Sequence, residues 1–348
     1  MSRVLSLFAL FFLSTSLFAD YCVDDPCSCS TEIAVDFLWW DVMGDQIYYG
    51  IVIEGIRDTT PDPTVENLSE RLLQFNPDWS PGVRVHLIHN LQCQDLALFA
   101  SWTWYETENT QNTRLILSSD PDAFLSFNSV FIGGVGAQGI LEFETGDIDA
   151  HYYFKLNRVD IGFLKSCCLC CDLQFSPFAA FTYIHTDENL TLVTDFDNQT
   201  SSFFKRNNYR NHTSFDGYGI KLGLAADWSF CQCFSFYSAA SLTGAWGCYE
   251  NDTRNIENEG GTIADIDIDV TFKHDDWRGR LYSQLQLGVK YTACLCRCPV
   301  FAMVGWEHQM FFNQTNWSVF SGEFATPSTL PVGDLTLQGL VVRAGFSF

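Results

Sequence analysis

Positive charge is scarce in this chain of 348 residues: 19 Lys and Arg stand against 42 Asp and Glu, a net charge of −23. No Lys/Arg-rich run relieves the acidity, so a phosphate backbone would be repelled and nucleic acid is excluded as a partner. Long apolar runs are missing as well. Beyond the first 19 residues nothing approaches the roughly 20 consecutive apolar residues of a transmembrane helix. Charged residues are only 18% and apolar residues 47%, which excludes a disordered chain and a charged coiled coil. Catalytic motifs are lacking: Ser101, Ser235, Ser241 and Ser283 stand in no nucleophile motif, and a hydrolase needs a nucleophile with a positioned base. No enzyme and no cofactor are expected.

Aromatics, by contrast, are abundant at 16%, with 31 Phe, 13 Tyr and 10 Trp. The amino terminus has a short positive end at Arg3, an apolar run from Val4 to Phe12 and small residues up to Ala19. This reads as a signal peptide over 1–19, too short to anchor in a bilayer. Ala19-Asp20-Tyr21 before Cys22 is a poor lipoprotein signal. The fourteen cysteines of an exported chain then point to disulfides rather than to a reduced site. Cys167-Cys168-Leu169-Cys170-Cys171 and Cys294-Leu295-Cys296-Arg297-Cys298 lack the spacing of zinc pairs. Asp265-Ile-Asp-Ile-Asp269 lacks the glycine and terminal Glu of a calcium loop, so no metal is expected.

Alternation at period two supplies the fold. From Trp277 to Tyr291, Trp277, Leu281, Leu285, Leu287, Val289 and Tyr291 share one face, and Arg278, Arg280, Tyr282, Gln284, Gln286, Gly288 and Lys290 the other. One face suits hydrocarbon and the other water, with aromatics at both ends of the apolar row. Val83, Val85 and Leu87 alternate with Arg84 and His86; Tyr218, Ile220, Leu222, Leu224 and Trp228 alternate with Lys221 and Asp227. The fold class expected is all-β, a transmembrane antiparallel β-barrel. Its strands fall near 33–42, 82–91, 95–105, 149–164, 173–185, 215–228, 234–248, 277–292, 299–312 and 335–348. That makes ten, with 8–12 open because 106–148 has room for another hairpin. Segment 150–163 keeps its apolar face outward only with a bulge near Asn157-Arg158. Short links at 92–94, 165–172, 229–233 and 293–298 alternate with long ones at 43–81, 106–148, 186–214, 249–276 and 313–334, as short periplasmic turns alternate with long outer loops. The domains expected are the signal at 1–19, a Cys-rich periplasmic tail at 20–32 and the barrel at 33–348.

Thirteen cysteines fall on the short-turn side: Cys22, Cys27 and Cys29 in the tail, Cys93, Cys167, Cys168, Cys170, Cys171, Cys231, Cys233, Cys294, Cys296 and Cys298 in the turns. Only Cys248 is placed at the outer rim. Vicinal cysteines bridge each other only with strain, so partners are expected in neighbouring turns, in the tail at Cys22, Cys27 and Cys29, or on another molecule, whether a second copy of the chain or another envelope protein. On the lumen face fall Arg84, Lys155, Arg158, Lys221, Arg278, Arg280, Lys290 and Arg343, against Asp36, Asp160, Asp227 and Glu307, with His86 beside them. The expected wall is mildly basic.

Asp36-Phe-Leu-Trp-Trp40, Asn76-Pro-Asp-Trp-Ser-Pro-Gly-Val-Arg84, Trp102-Thr-Trp-Tyr105, Leu156-Asn-Arg-Val-Asp-Ile-Gly162, Gly305-Trp-Glu-His-Gln309 with Phe312-Asn-Gln314, and Asp334-Leu-Thr-Leu-Gln-Gly-Leu340 resemble the Legionella–chlamydial family of major outer membrane proteins. The resemblance implies an outer-membrane barrel of a Gram-negative-type bacterium, often porin-like and in some members disulfide cross-linked. The Cys-rich turns are denser than the family pattern and point to a chlamydia-like envelope. Phe348 is a terminal aromatic of the kind the barrel-assembly machinery reads in similar proteins. The expected partners are outer-membrane lipid, small solutes, that machinery, and disulfide-linked envelope proteins. The function expected is passive diffusion of small solutes; the alternative is a closed structural or adhesive barrel. Ten strands lie between the roughly eight that side chains fill and the 16–18 of an open channel.

Overall fold

The computed structural model describes residues 31–44, 48–57, 65–75, 78–91, 96–116, 123–129, 145–170, 172–198, 203–231, 233–260, 266–295, 298–321 and 326–348. The expected signal and tail lie outside them, apart from residues 31 and 32. The strands are β1 (Thr31–Gly44), β2 (Tyr48–Arg57), β3 (Val65–Gln74), β4 (Ser80–Leu91), β5 (Leu96–Ile116), β6 (Ala123–Ser129) and β7 (Thr145–Lys165). There follow β8 (Cys167–Cys170), β9 (Leu173–Asn198), β10 (Phe203–Cys231), β11 (Phe234–Gly260), β12 (Ile266–Leu295), β13 (Cys298–Ser321) and β14 (Thr326–Ser347).

Ten of them pair antiparallel in the order β1-β4-β5-β7-β9-β10-β11-β12-β13-β14, and β14 pairs back with β1 to close the ring. Around the apolar band closure leaves no open side, which is what a strand structure needs in lipid, while the extensions beyond it, such as 266–280 of β12, pair on one side only. Among the described residues no helix is long and apolar enough to cross a membrane. The short β8 adds only to β9.

Side chains alternate across the wall as the sequence led us to expect. On β12, Trp277, Leu281, Leu285, Leu287, Val289 and Tyr291 point out, whereas Arg280, Tyr282 and Gln286 are buried within. Aromatic rings also band the outside near the short-turn rim. Phe230 lies 4.7 Å from Phe236, Trp228 stacks on Phe236 at 5.8 Å, and Phe234 lies 5.0 Å from Tyr291.

Four expectations are corrected. First, 186–214, 249–276 and 313–334 are not long loops; they are largely strand, since β9, β10, β11 and β12 run for 26, 29, 27 and 30 residues. A tilted spanning strand needs only about 9–11 residues, so the polar remainder of each strand continues past the apolar band. Second, 43–81 and 106–148 are not loops throughout, and among the described residues they add no strand to the ring of ten. They supply a separate three-stranded sheet in the order β3-β2-β6. Its Tyr49 and Phe75 are buried, 4.9 Å apart; Phe75 packs 5.6 Å from Tyr152 of β7, and the Tyr49 hydroxyl lies 3.1 Å from Thr113 Oγ1 of β5. The small sheet thus covers inward-facing wall residues.

Third, β7 has no bulge: it pairs in unbroken register with β5 and β9 and alternates throughout. Tyr152, Phe154 and Leu156 therefore face inward with Arg158 and Asp160, and Lys155 faces out between Glu106 and Asp187 on the neighbouring strands. Lys155 is not a lumen residue, because an apolar interior satisfies those three side chains without a change of parity. Fourth, Cys248 does not end its strand at the outer rim: it sits within β11, paired with Asp216 and Trp277, and the strand continues to Gly260.

Candidate functional site: a charged layer and vestibule in the barrel

Parity alone brings Asp36, Arg84, Arg158, Asp160, Lys221, Glu307 and Arg343 into the lumen, from six different strands. Arg84 holds Glu307 in a two-point grip, with Nη2 to Oε1 at 2.7 Å and Nη1 to Oε2 at 2.8 Å, and its Nε donates to Thr103 at 3.0 Å. Arg343 holds Asp36 the same way at 2.6 and 3.0 Å, and His86 Nε2 lies 3.0 Å from Asp36 Oδ2. Lys221 Nζ donates to Asp160 at 2.8 Å and to Gln284 at 3.0 Å, and Thr182 also donates to Asp160 at 2.8 Å. Arg158 reaches Gln309 and Gln284 at 3.3 and 3.2 Å, and Gln284 donates to Glu307 at 2.7 Å.

Because β7 and β13 stand on opposite sides of the ring, the Arg158–Gln309 bond crosses the whole lumen. The result is one continuous ionic layer. Buried charges are tolerable only when paired and hydrogen-bonded, and two-point Arg–carboxylate contacts are the strongest such pairing.

On the side of this layer away from the cysteine-bearing rim the lumen is aromatic. Trp40 lies 5.3 Å from Tyr105, Phe154 6.3 Å from Phe311, and Tyr282 5.0 Å from Phe311. Arg278 and Arg280 sit in this region rather than on an open wall. The Arg278 guanidinium lies 3.6 Å from the Tyr249 ring centre and bonds Asp276 at 2.8 Å; Arg280 lies near the Phe215 and Tyr249 rings at 4.9 and 5.0 Å.

On the other side opens a vestibule of about 400 Å³, walled by Arg84, His86, Arg158, Lys221, Gln284, Gln286, Lys290, Arg343, Asp227 and Glu32, with Phe99, Phe178, Phe301 and Tyr237 among them. Of the expected lumen residues, Arg84, His86, Lys221, Asp227, Lys290 and Arg343 thus meet in one cavity, and Glu307 is buried behind its floor. Reading by apolar periodicity missed the aromatic filling. It also missed Glu188 and Glu257, both buried on strand extensions taken for loops. Glu188 shares its parity with Thr182 and Ile184, and that continuity was the available signal.

Apart from Cys248, the described cysteines gather where the first and last strands of the barrel meet. Thr31 and Phe348 exchange backbone hydrogen bonds at 3.0 and 2.8 Å. At the same rim stand Cys167, Cys168 and Cys170 in β8, Cys231 and Cys233 at the β10–β11 turn, and Cys294 and Cys298 at the β12–β13 turn. Cys231 and Cys233 are exposed with free thiols, and Cys298 is half-buried with a free thiol. Cys22, Cys27, Cys29, Cys93, Cys171 and Cys296 lie outside the described residues. The exposed Phe348 ring packs 5.8 Å from Phe346.

Comparison with known proteins gives one family. The model described as Legionella pneumophila major outer membrane protein precursor matches residues 26–348. No curated protein matches the chain. Among solved structures, the outer membrane protease OmpT from Escherichia coli is 9% identical with a TM-score of 0.40, covering 92% of this chain and 96% of that one. The toluene transporter TodX of P. putida is 9% identical with a TM-score of 0.28, covering 94% and 93%. The monoaromatic hydrocarbon channel CymD is 8% identical with a TM-score of 0.31, covering 93% and 91%.

Proposed function

The chain belongs to the family of the Legionella pneumophila major outer membrane protein, and from that premise we propose that it is a porin-like barrel admitting small solutes by passive diffusion. The observation that carries this reading is the vestibule. Its charged lining is mostly cationic, and it runs from the cysteine-bearing rim to the Arg84–Glu307 layer. The passage is narrow, as ten strands require, and the ionic and aromatic layers are its constriction. The Trp40, Tyr105, Phe154 and Phe311 filling favours a second reading, a structural barrel that passes nothing.

Planar-bilayer recording on the refolded protein separates the two. Small discrete steps with a weak preference for anions are expected, since five cations and two acids line the vestibule. Strong cation preference in a salt gradient would reject the role given to the wall. A folded sample that never conducts would establish the closed barrel.

Export through a removable segment at 1–19 belongs to the same proposal, as does cross-linking of the envelope through the rim cysteines. Its support is placement: Cys231 and Cys233 are solvent-accessible thiols on the rim that also holds β8 and the chain ends. After trapping of free thiols, envelope protein run without reductant should form bands larger than the monomer that collapse on reduction. A monomer band indifferent to reductant would confine any bridges to the interior of one molecule.

A further inference from the structure

We propose that the vestibule is a binding site for a small carboxylate with a compact apolar body; the inference rests on the reading of this lumen as solute-facing. The cavity is two-sided. Its charged lining is Arg84, Arg158, Lys221, Lys290 and Arg343 against Glu32 and Asp227. The acids that neutralise the floor, Asp36, Asp160 and Glu307, are at most 1% exposed and stand behind it. At Arg84, Arg158, Lys221 and Arg343 a solute therefore meets cations with their counter-charges at the back, whereas Lys290 stands 3.4 Å from Asp227, which shares the lining.

Gln286 adds a second, independent feature. It lines the cavity, is 3% exposed, and its Nε2 has no hydrogen-bond partner in the structure. A buried amide donor left unmatched is costly, and an acceptor on a solute would match it.

The remaining wall is apolar. Phe99 and Phe178 meet edge to face at 5.8 Å, and Phe301 lies beneath Lys290 Nζ at 5.0 Å from the ring centre. A bare inorganic anion would leave these rings uncovered, and a neutral apolar molecule would leave the cations and the amide unanswered. One negative end and one apolar end answer both. The volume of about 400 Å³ suits such a molecule, falling within the ordinary range of small-ligand cavities.

The test is titration calorimetry on the refolded full chain in detergent micelles, with benzoate as the probe and empty micelles as the baseline. Benzoate should bind saturably, with benzyl alcohol and chloride much weaker. Gln286→Leu and Lys290→Met should each weaken benzoate by about tenfold, the scale of one hydrogen bond to a charged group. Leu287→Ala, on the outward face of the same strand, should leave binding unchanged. Heat-modifiable migration of each variant certifies that it has folded. Equal binding of benzyl alcohol, displacement by chloride at equal affinity, or no saturable binding would each overturn the inference. A barrel that conducts without binding benzoate sinks this site and spares the porin reading. A barrel that binds benzoate but never conducts does the reverse.

Discussion

Replacement of Arg84 by methionine should destabilise the folded barrel by about 3–5 kcal/mol, the penalty of removing one partner from a buried ion pair. The side chain is 2% exposed and satisfies both Glu307 oxygens, while its Nη1 lies 3.5 Å from Asp36. Without it Glu307 keeps only the amides of Gln284 and Gln309, which are neutral donors. The measurement is urea unfolding from micelles, followed by loss of the fast-migrating folded band. The double variant Arg84→Met with Glu307→Gln should recover much of the loss, because removing both charges removes the uncompensated one. A single-variant loss below about 1 kcal/mol, the range of solvated surface pairs, would mean that water screens the layer.

Leu285→Arg should cost about 2–4 kcal/mol, the effect of a cation on the lipid face near the bilayer midplane. Leu285 points outward from β12 with 46% of its surface exposed, in the middle of the row from Trp277 to Tyr291. In a water-soluble barrel an exposed leucine would accept arginine with little change. The same substitution at Thr271, also exposed and on the same face of β12 but beyond Trp277, should stay within about 0.5 kcal/mol of the parent. Equal effects at the two positions would refute a hydrocarbon band bounded by Trp277.

The wall was legible in the sequence wherever its two faces meet different solvents. In β12 lipid and lumen differ so sharply that Leu285 and Gln286 declare their sides, and the ten strand positions and four short turns follow from such segments. Beyond the apolar band the outer face meets water, and the Asn, Thr and Asp residues of β9–β11 then read as loop although they pair as strand. In β7 the difficulty is the opposite. Tyr152, Phe154 and Leu156 are apolar yet inward, because the lumen above the ionic layer is itself apolar. Periodicity tells that two faces differ, not which one meets lipid, and there it misplaced Lys155. The charged residues of the layer were readable one by one. Their joining across the lumen was not, since Arg158 and Gln309 are 151 residues apart and meet only once the ring has closed.

Asp36 stands opposite Arg343 on β14 and opposite Arg84 on β4, at the seam where the first and last strands of the barrel meet. A slip of one residue at that seam would turn the whole of β14 inside out relative to β1, carrying Arg343 into lipid. A slip of two would keep the faces right but set Asp36 against Val341 or Gly345, leaving a buried carboxylate short of its closest cation. The ion pair thus acts as a key that fits one alignment only. The stagger in which Arg343 meets Asp36 is thereby favoured over its neighbours when the first and last strands pair.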